Sequence, residues 1–241
     1  MSQEIKPKIS VVIPVYNEEE NLPPLTETIV PVMQSIQEPY EIIFVDDAST
    51  DKSREILKGL AAKYSFIRIL GFTANCGQSA AFDAGFKSAR GEIVVTLDAD
   101  LQYDPQDIPK LLEKINGCDV VCGWRKNRQD PWLKLISTRI ANAVRNKLSG
   151  ESIKDTGCSL KAFKKIYLNN LKMYKGMHRF LPTLLKMEGA KVTEVEVRHF
   201  PRKFGISKYN IRNRMFRAFL DLLFVIWMKK RNLNYHTEVI K

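Results

Sequence analysis

The sequence predicts an α/β domain with a mostly parallel sheet flanked by helices, and three observations carry that prediction. Short apolar runs recur at Ile9–Ile13, Glu41–Val45, Ile67–Phe72, Glu92–Leu97 and Asp119–Cys122, most of them rich in β-branched residues. Longer segments between them place apolar residues at helical spacing, as at Ile56, Leu57 and Leu60. Polar clusters follow the first, second and fourth runs. Strands that alternate with helices build βαβ units, whose sheet is parallel and covered on both faces. With 241 residues and 44% apolar composition, the chain buries a substantial core, expected as one domain with a C-terminal extension.

The first run leads into Pro14, Tyr16, Asn17 and Glu18, the second into Asp46 and Asp47, and the fourth into Asp98, Ala99, Asp100 and Gln102. Ligands of open α/β sheets bind beyond the carboxyl ends of the strands. Three strands are thus expected to deliver acids and an aromatic ring to one rim. Ser49 and Thr50 are possible caps of the next helix, while Asp46 and Asp47 suit either that helix N-terminus or a ligand. After Cys122 comes a basic loop, Trp124–Arg128, and a helix with Leu133, Ile136, Ile140, Val144 and Leu148 at helical spacing. Asp155–Gly157 opens a mixed region. Val195 and Val197 alternate with Glu194, Glu196 and Arg198, the pattern of a half-exposed antiparallel strand. The last helix begins near Asn210 or Ile211 and runs to about Met228. The expected division is a domain over residues 1–209 and a basic amphipathic helix and tail over residues 210–241.

The formal net charge of +11 is unevenly placed. Between Arg198 and Arg231 lie ten Lys or Arg and one acid, Asp221, a net +9, while the remainder is nearly balanced. Such charge suits nucleic acid, anionic lipid or phosphorylated ligands. Cys76, Cys118, Cys122 and Cys158 lack paired C-x-x-C spacing and read as buried free thiols. Met1–Lys8 precedes the first apolar run without the apolar stretch of a secretion signal, so a cytoplasmic location is expected. No run reaches the roughly 20 uninterrupted apolar residues of a spanning helix. Phe219–Met228 is short and contains Asp221, which suits lying on a membrane rather than crossing it.

Asp98 and Asp100, one residue apart at a strand end and followed by Gln102, offer hard oxygen ligands suited to Mg²⁺ or Mn²⁺ bridging a diphosphate. Such an ion offsets charge on a leaving nucleotide. A D-x-D pair alone is equally a solvated acidic turn; its placement at a strand end beside two further acidic rims favours the ligand reading. Asp47 is the candidate for nucleoside contact. Tyr16 either stacks on the base or packs at the rim.

Ile13-Pro14-Val15-Tyr16-Asn17-Glu18, Val45-Asp46-Asp47-Ala48-Ser49 and Leu97-Asp98-Ala99-Asp100-Leu101-Gln102 resemble the signature segments of glycosyltransferase family 2. Asp155-Thr156-Gly157-Cys158-Ser159-Leu160-Lys161 and Arg202-Lys203-Phe204-Gly205-Ile206-Ser207-Lys208-Tyr209 are similar to its dolichol-phosphate mannose synthase and undecaprenyl-phosphate glycosyltransferase branch. The resemblance implies a Rossmann-like GT-A fold and inverting, metal-dependent transfer from a GDP- or UDP-sugar. The implied acceptor is a polyprenyl phosphate, dolichyl or undecaprenyl, at the cytoplasmic membrane face. It implies nucleotide contacts at Pro14, Tyr16, Glu18, Val45 and Asp47, with Asp98 and Ala99 against ribose and phosphate and Asp100 and Gln102 on the metal. Arg125 and Arg139 would approach the lipid phosphate, and Arg202 and Lys208 would close over the diphosphate from a loop made flexible by Gly205. A solvated basic surface is the plainer reading of these cations.

A phosphate monoester is already anionic at neutral pH, so that acceptor requires no general base. The reaction instead needs cations that hold two phosphates near each other and in line with the anomeric carbon. Asp155 either orients a sugar hydroxyl or caps the next segment. Arg179 is a candidate for donor phosphate, while His178 reads as structural. The helix over Ile211–Met228, apolar from Phe219 to Trp227 with basic residues at both ends, suits a membrane interface, a core contact or an oligomer contact. Many relatives continue into transmembrane helices beyond this point, where this sequence stops at Lys241; peripheral binding, a membrane partner protein or a truncation would each fit. The competing readings are a transferase acting on a sugar hydroxyl with Asp155 as base, a nucleic-acid-binding module using the basic window, and an inactive scaffold. A processive polysaccharide synthase would carry Q-x-x-R-W, which is missing here. Acids at three strand ends oppose nucleic acid as a partner.

Overall fold

The computed structural model describes residues 6–126, 153–202, 204, 211–233 and 238. Seven strands, β1 (Ile9–Val15), β2 (Tyr40–Asp46), β3 (Ile67–Gly71), β4 (Ile93–Thr96), β5 (Val120–Trp124), β6 (Lys161–Lys164) and β7 (Val192–Glu196), form one sheet in the order β3-β2-β1-β4-β6-β5-β7. Helices α1 (Leu22–Ser35), α2 (Ser53–Lys63), α3 (Gln78–Ser88) and α4 (Ile108–Ile115) connect the first five strands. Helices α5 (Lys165–Leu168), α6 (Leu181–Met187) and α7 (Ile211–Arg231) come later.

β1 pairs in parallel with β2 on one side and β4 on the other. The order of strands therefore reverses between β1 and β4, the switch point at which a crevice opens beyond the carboxyl ends. β1 and β2 are buried on both faces, apart from Pro14 and Tyr40, as near-continuous Ile and Val runs dictate for central parallel strands. On one face α1, α2 and α4 bury Leu25, Leu57 and Leu111 against Ile13, Phe44 and Leu97. On the other, α3 and α6 bury Phe82, Phe86 and Leu185 against Val12, Ile43 and Phe163. A Cβ at Gly85 of α3 would lie 2.2 Å from Val12 Cγ1, so only glycine lets this helix approach β1 so closely.

Several expectations need correction. β7 is an edge strand parallel to β5, not antiparallel. Half-exposure marks an edge in either direction, and β6, unforeseen in the mixed region after Gly157, inserts antiparallel to both β4 and β5. β5 runs on through Trp124, which the sequence placed in a loop. Ser49 and Thr50 do not cap α2, whose first residue is Ser53. They bind the loop after β1 instead: Asn17 N donates to Ser49 Oγ at 3.0 Å, and Thr50 N donates to Asn17 Oδ1 at 2.7 Å. Cys118, Cys122 and Cys158 are buried, but Cys76 is exposed because it lies in the loop before α3. Burial pushes the Cys122 and Cys158 thiols up to about 12. The helix expected over Leu133–Leu148, together with Arg139, Gly205 and Lys208, lies outside the described residues.

α7 extends three residues past the expected Met228 and presents two apolar faces. Leu222 and Val225 are buried against Met177, Phe180 and Leu184. Phe219, Leu220, Leu223, Phe224 and Trp227 are exposed, with Phe224 and Trp227 stacked at 6.0 Å. Among the described residues no helix is long and apolar enough to cross a membrane.

Near the amino end of β2, away from the carboxyl ends where the crevice opens, Glu41 accepts from Ser10 Oγ at 2.6 Å, Arg68 Nη1 at 2.7 Å and the Arg90 amide at 2.6 Å. Burial raises its pKa, but these hydrogen bonds outweigh burial and hold it below its ordinary 4.5. A carboxylate lowered in this way stabilises the fold above its unfolded pKa, and that contribution disappears as pH falls through the folded value. We expect stability to urea to decline as pH drops below 4.5. Glu41→Gln should flatten that decline; an unchanged pH slope in the variant would contradict the assignment.

Candidate active site

The three turns at the rim are built under backbone constraint. Asn17 after β1, Ala48 after β2 and Leu101 after β4 adopt φ of 53°, 59° and 58°. Left-handed backbone at non-glycine residues is costly and persists where surrounding bonds over-determine it. Those bonds are present. Glu18 N donates to Ser53 Oγ at 2.8 Å, and buried Asn21 donates to Glu18 Oε2 at 2.6 Å. Ser49 N donates to Asp46 Oδ1 at 3.0 Å, and Arg54 Nε donates to Asp46 Oδ2 at 2.6 Å.

Register places Pro14 beside Val45 and Val15 beside Asp46, so the first two candidate clusters adjoin. The start of α3 links them to the third. Asp47 does not cap α2 but pins the loop that leads into α3: Cys76 N donates to Asp47 Oδ1 at 2.7 Å and Gly77 N to Oδ2 at 2.9 Å. One residue on, Gln78 Nε2 donates to Asp98 Oδ1 at 2.8 Å. Ser79 Oγ lies 2.7 Å from His178 Nδ1 and accepts from Gly176 N at 3.0 Å. That contact sets the turn bearing Arg179 against the same helix start. A Cβ at Gly176 would meet Asp221 of α7 at 2.2 Å, which explains the glycine there.

Asp98 is partly buried and Asp100 is buried, only 6% exposed. Burial and the neighbouring Asp100 charge push the Asp98 carboxyl up to about 6, against the opposing pull of Ser159, Lys161 and Arg125. Two carboxyl groups so placed call for a cation. Arg202 supplies one, its Nη2 donating to Asp100 Oδ2 at 2.7 Å, while Asp100 Oδ1 accepts from Gln102 N at 3.2 Å. Phe200 N donates to Gln102 O at 2.9 Å and holds the Arg202 segment against the acidic turn.

Among the described residues no three His, Cys, Asp or Glu side chains form a closed metal cage. Mg²⁺ and Mn²⁺ suit one or two carboxylates plus substrate phosphates better than a cage made wholly of protein. Asp98, Asp100 and Gln102 fit such a hard ion, since they supply two carboxylates and an amide oxygen, and the Arg202 bond to Asp100 shows that the turn takes up positive charge.

Arg125 and Asp155 come together beside this turn. Arg125 Nε donates to Asp155 Oδ2 at 2.6 Å and Nη2 to Oδ1 at 2.9 Å. Burial opposes the guanidinium charge, yet the bonds to Asp155 prevail and its pKa is raised. Arg125 also lies over the Tyr103 ring, 5.7 Å from its centroid. Gln78, Ser79, Tyr103 and buried Lys161, whose Nζ donates to the carbonyls of Thr156 and Cys158, join the site without having stood out in the sequence. Asn75, Cys76 and Gly77 directly before the helical spacing of Ala81, Phe82 and Phe86 were the available signal for the first two.

The match to known families decides the membership. Residues 10–171 match the sequence model of glycosyl transferase family 2. The chain belongs to this family. Family 2 transfer is inverting, and this glycosyltransferase has the GT-A fold. It is 36% identical to a dodecaprenyl-phosphate galacturonate synthase of Rhizobium johnstonii, over 92% of this chain and 68% of the relative. It is 39% identical to an undecaprenyl-phosphate 4-deoxy-4-formamido-L-arabinose transferase of Serratia proteamaculans, over 90% and 67%. Glucosyl-3-phosphoglycerate synthase of Mycobacterium tuberculosis, solved with Mn²⁺, UDP-glucose and glycerol 3-phosphate, superposes with a TM-score of 0.64 at 18% identity, covering 95% of this chain and 82% of that one. A mannosyltransferase of Pyrobaculum calidifontis, solved with GDP-mannose and Mn²⁺, gives 0.61 at 19%, covering 97% and 67%. At those identities the solved structures speak to the fold alone.

The Arg125 and Asp155 side chains are 10% and 4% exposed, so removing either partner strands a buried charge. Arg125→Ala and Asp155→Ala should each cost about 3–5 kcal/mol in urea unfolding, with the double variant well short of the sum. Additive single effects would contradict a coupled pair.

Proposed function

We propose that this family 2 enzyme transfers a sugar, with inversion, from a UDP- or GDP-sugar to a polyprenyl phosphate, using Mg²⁺ or Mn²⁺, at the cytoplasmic face of a membrane. The observation that carries this reading is the Arg125–Asp155 pair. Both oxygens of the acid best suited to deprotonate a sugar hydroxyl are held by one guanidinium. A phosphate monoester needs no such base. The names of the relatives, which specify dodecaprenyl and undecaprenyl phosphate, support the same acceptor.

An acceptor phosphate oxygen attacks the anomeric carbon, the bond from that carbon to the diphosphate oxygen breaks, and the nucleoside diphosphate departs with the electron pair. No proton transfer is required. Pro14, Tyr16, Glu18, Val45 and Asp47 receive the nucleoside, and Asp98 and Ala99 meet ribose and phosphate. Asp100 and Gln102 would hold the metal, which would offset charge on the leaving diphosphate. Arg179, Arg202 and Lys208 bind donor phosphates. Arg139 receives the acceptor phosphate, together with Arg125 Nη1, since Nε and Nη2 of Arg125 are committed to Asp155.

Residues 1–209 form the catalytic unit in this reading, and residues 210–241 its contact with the membrane. The exposed face of Phe219, Leu220, Leu223, Phe224 and Trp227, with Lys229, Lys230 and Arg231 at its end, suits burial in an anionic lipid surface where a polyprenyl phosphate is presented.

Incubation with radiolabelled UDP- and GDP-sugars, polyprenyl phosphate and Mn²⁺ should move label from one donor into the organic phase, and Asp100→Ala should abolish the transfer. Label appearing on a soluble glycan and never in the lipid phase would overturn the acceptor assignment.

A further inference from the structure

We infer that Arg202 is the resident counter-cation of Asp100, exchanged for the divalent ion when nucleotide arrives, so that metal and nucleotide binding are coupled through this one side chain. The inference rests on the metal and diphosphate assignment above and extends it to the order in which the site fills.

Arg202 Nη2 sits 2.7 Å from Asp100 Oδ2, with the two side chains 30% and 9% exposed. Asp100 Oδ1 is already engaged by Gln102 N at 3.2 Å. A divalent ion on this carboxylate would therefore meet a guanidinium on the same oxygen, and the like charges repel in a poorly solvated crevice. The ion and Arg202 compete. The enzyme without nucleotide should consequently hold metal weakly, its acidic turn being satisfied from within.

Release does not carry Arg202 away. Two residues earlier, Phe200 N donates to Gln102 O at 2.9 Å. One residue earlier still, His199 bridges Tyr103 in antiparallel fashion, their rings 5.8 Å apart. A guanidinium displaced from Asp100 thus remains beside the same turn, within reach of a diphosphate that shares the metal. The diphosphate gives Arg202 a new anion at the moment the metal takes its old one. Positive coupling follows, because each ligand favours the arrangement the other needs.

Manganese binding reads this directly through the free-Mn²⁺ electron paramagnetic resonance signal, titrated without nucleotide and then with UDP or GDP. Hydrogen bonds to charged groups imply that Arg202→Gln tightens nucleotide-free Mn²⁺ binding by about tenfold, the partial exposure of Arg202 placing it at the lower end of the range. The same variant should narrow the gain in Mn²⁺ affinity that nucleotide confers. Arg202→Lys, which keeps the charge, should stay near the wild type. Nucleotide-free Mn²⁺ affinity in Arg202→Gln equal to or weaker than wild type would overturn the inference, provided that wild type with UDP or GDP binds Mn²⁺ and Asp100→Asn does not. If wild type takes up no Mn²⁺ with either nucleotide, or Asp100→Asn binds it unchanged, the metal assignment itself fails, and the inference falls with it.

Discussion

The acidic turn after β4 is the constraint on which the rest of the site depends. The sheet order reverses between β1 and β4, and the crevice this creates receives Asp98 and Asp100 in surroundings that leave them poorly hydrated. Two carboxyl groups in that position are unfavourable unless cations and donors answer them. Much of the neighbouring polar structure does so. Gln78 reaches Asp98 from α3, Arg202 reaches Asp100 from the segment after β7, and Arg125 and Lys161 lie close enough to draw the Asp98 carboxyl back down. Such a turn is poised for a ligand that brings its own positive charge, and a metal nucleotide is one.

The start of α3 carries the same logic to the nucleoside side. The two amides just before it are bound by Asp47, its first side chain by Asp98, and its second by His178. Gly85 lets the helix lie on β1, so these contacts are set by the packing of the core rather than by a mobile loop. The turn that carries His178 also supports α7 through Met177 and Phe180. A short, continuous set of contacts therefore runs from the helix with the exposed apolar face to the rim where donor binding is proposed.

β1, β2 and β4 are legible because each is a largely buried, β-branched run between helical segments, and the three rim clusters are legible because each follows such a run. What escaped the sequence depends on distant parts of the chain. β6 is hidden because Lys161 and Lys164 bracket it and its partners, β4 and β5, precede it by some forty residues or more. The direction of β7 was misread because alternation reports exposure and not the direction of the neighbouring strand. Asp47 has the look of a cap for the next helix, but it holds the loop before α3 instead, through amides 29 and 30 residues away. The two ion pairs were invisible for the same reason. Arg125 and Arg202 were expected as cations aimed at phosphates, and the structure shows each already facing an acid, 30 and 102 residues away in sequence.

The central claim is that Asp98, Asp100 and Gln102 form the metal and diphosphate half of a transferase site. Anomalous scattering from crystals grown with Mn²⁺ and UDP or GDP tests it most directly. One manganese peak is expected at Asp100, with Arg202 moved from the carboxylate to the phosphates. Bound nucleotide with the Arg202–Asp100 pair intact and no manganese on Asp100 would contradict it.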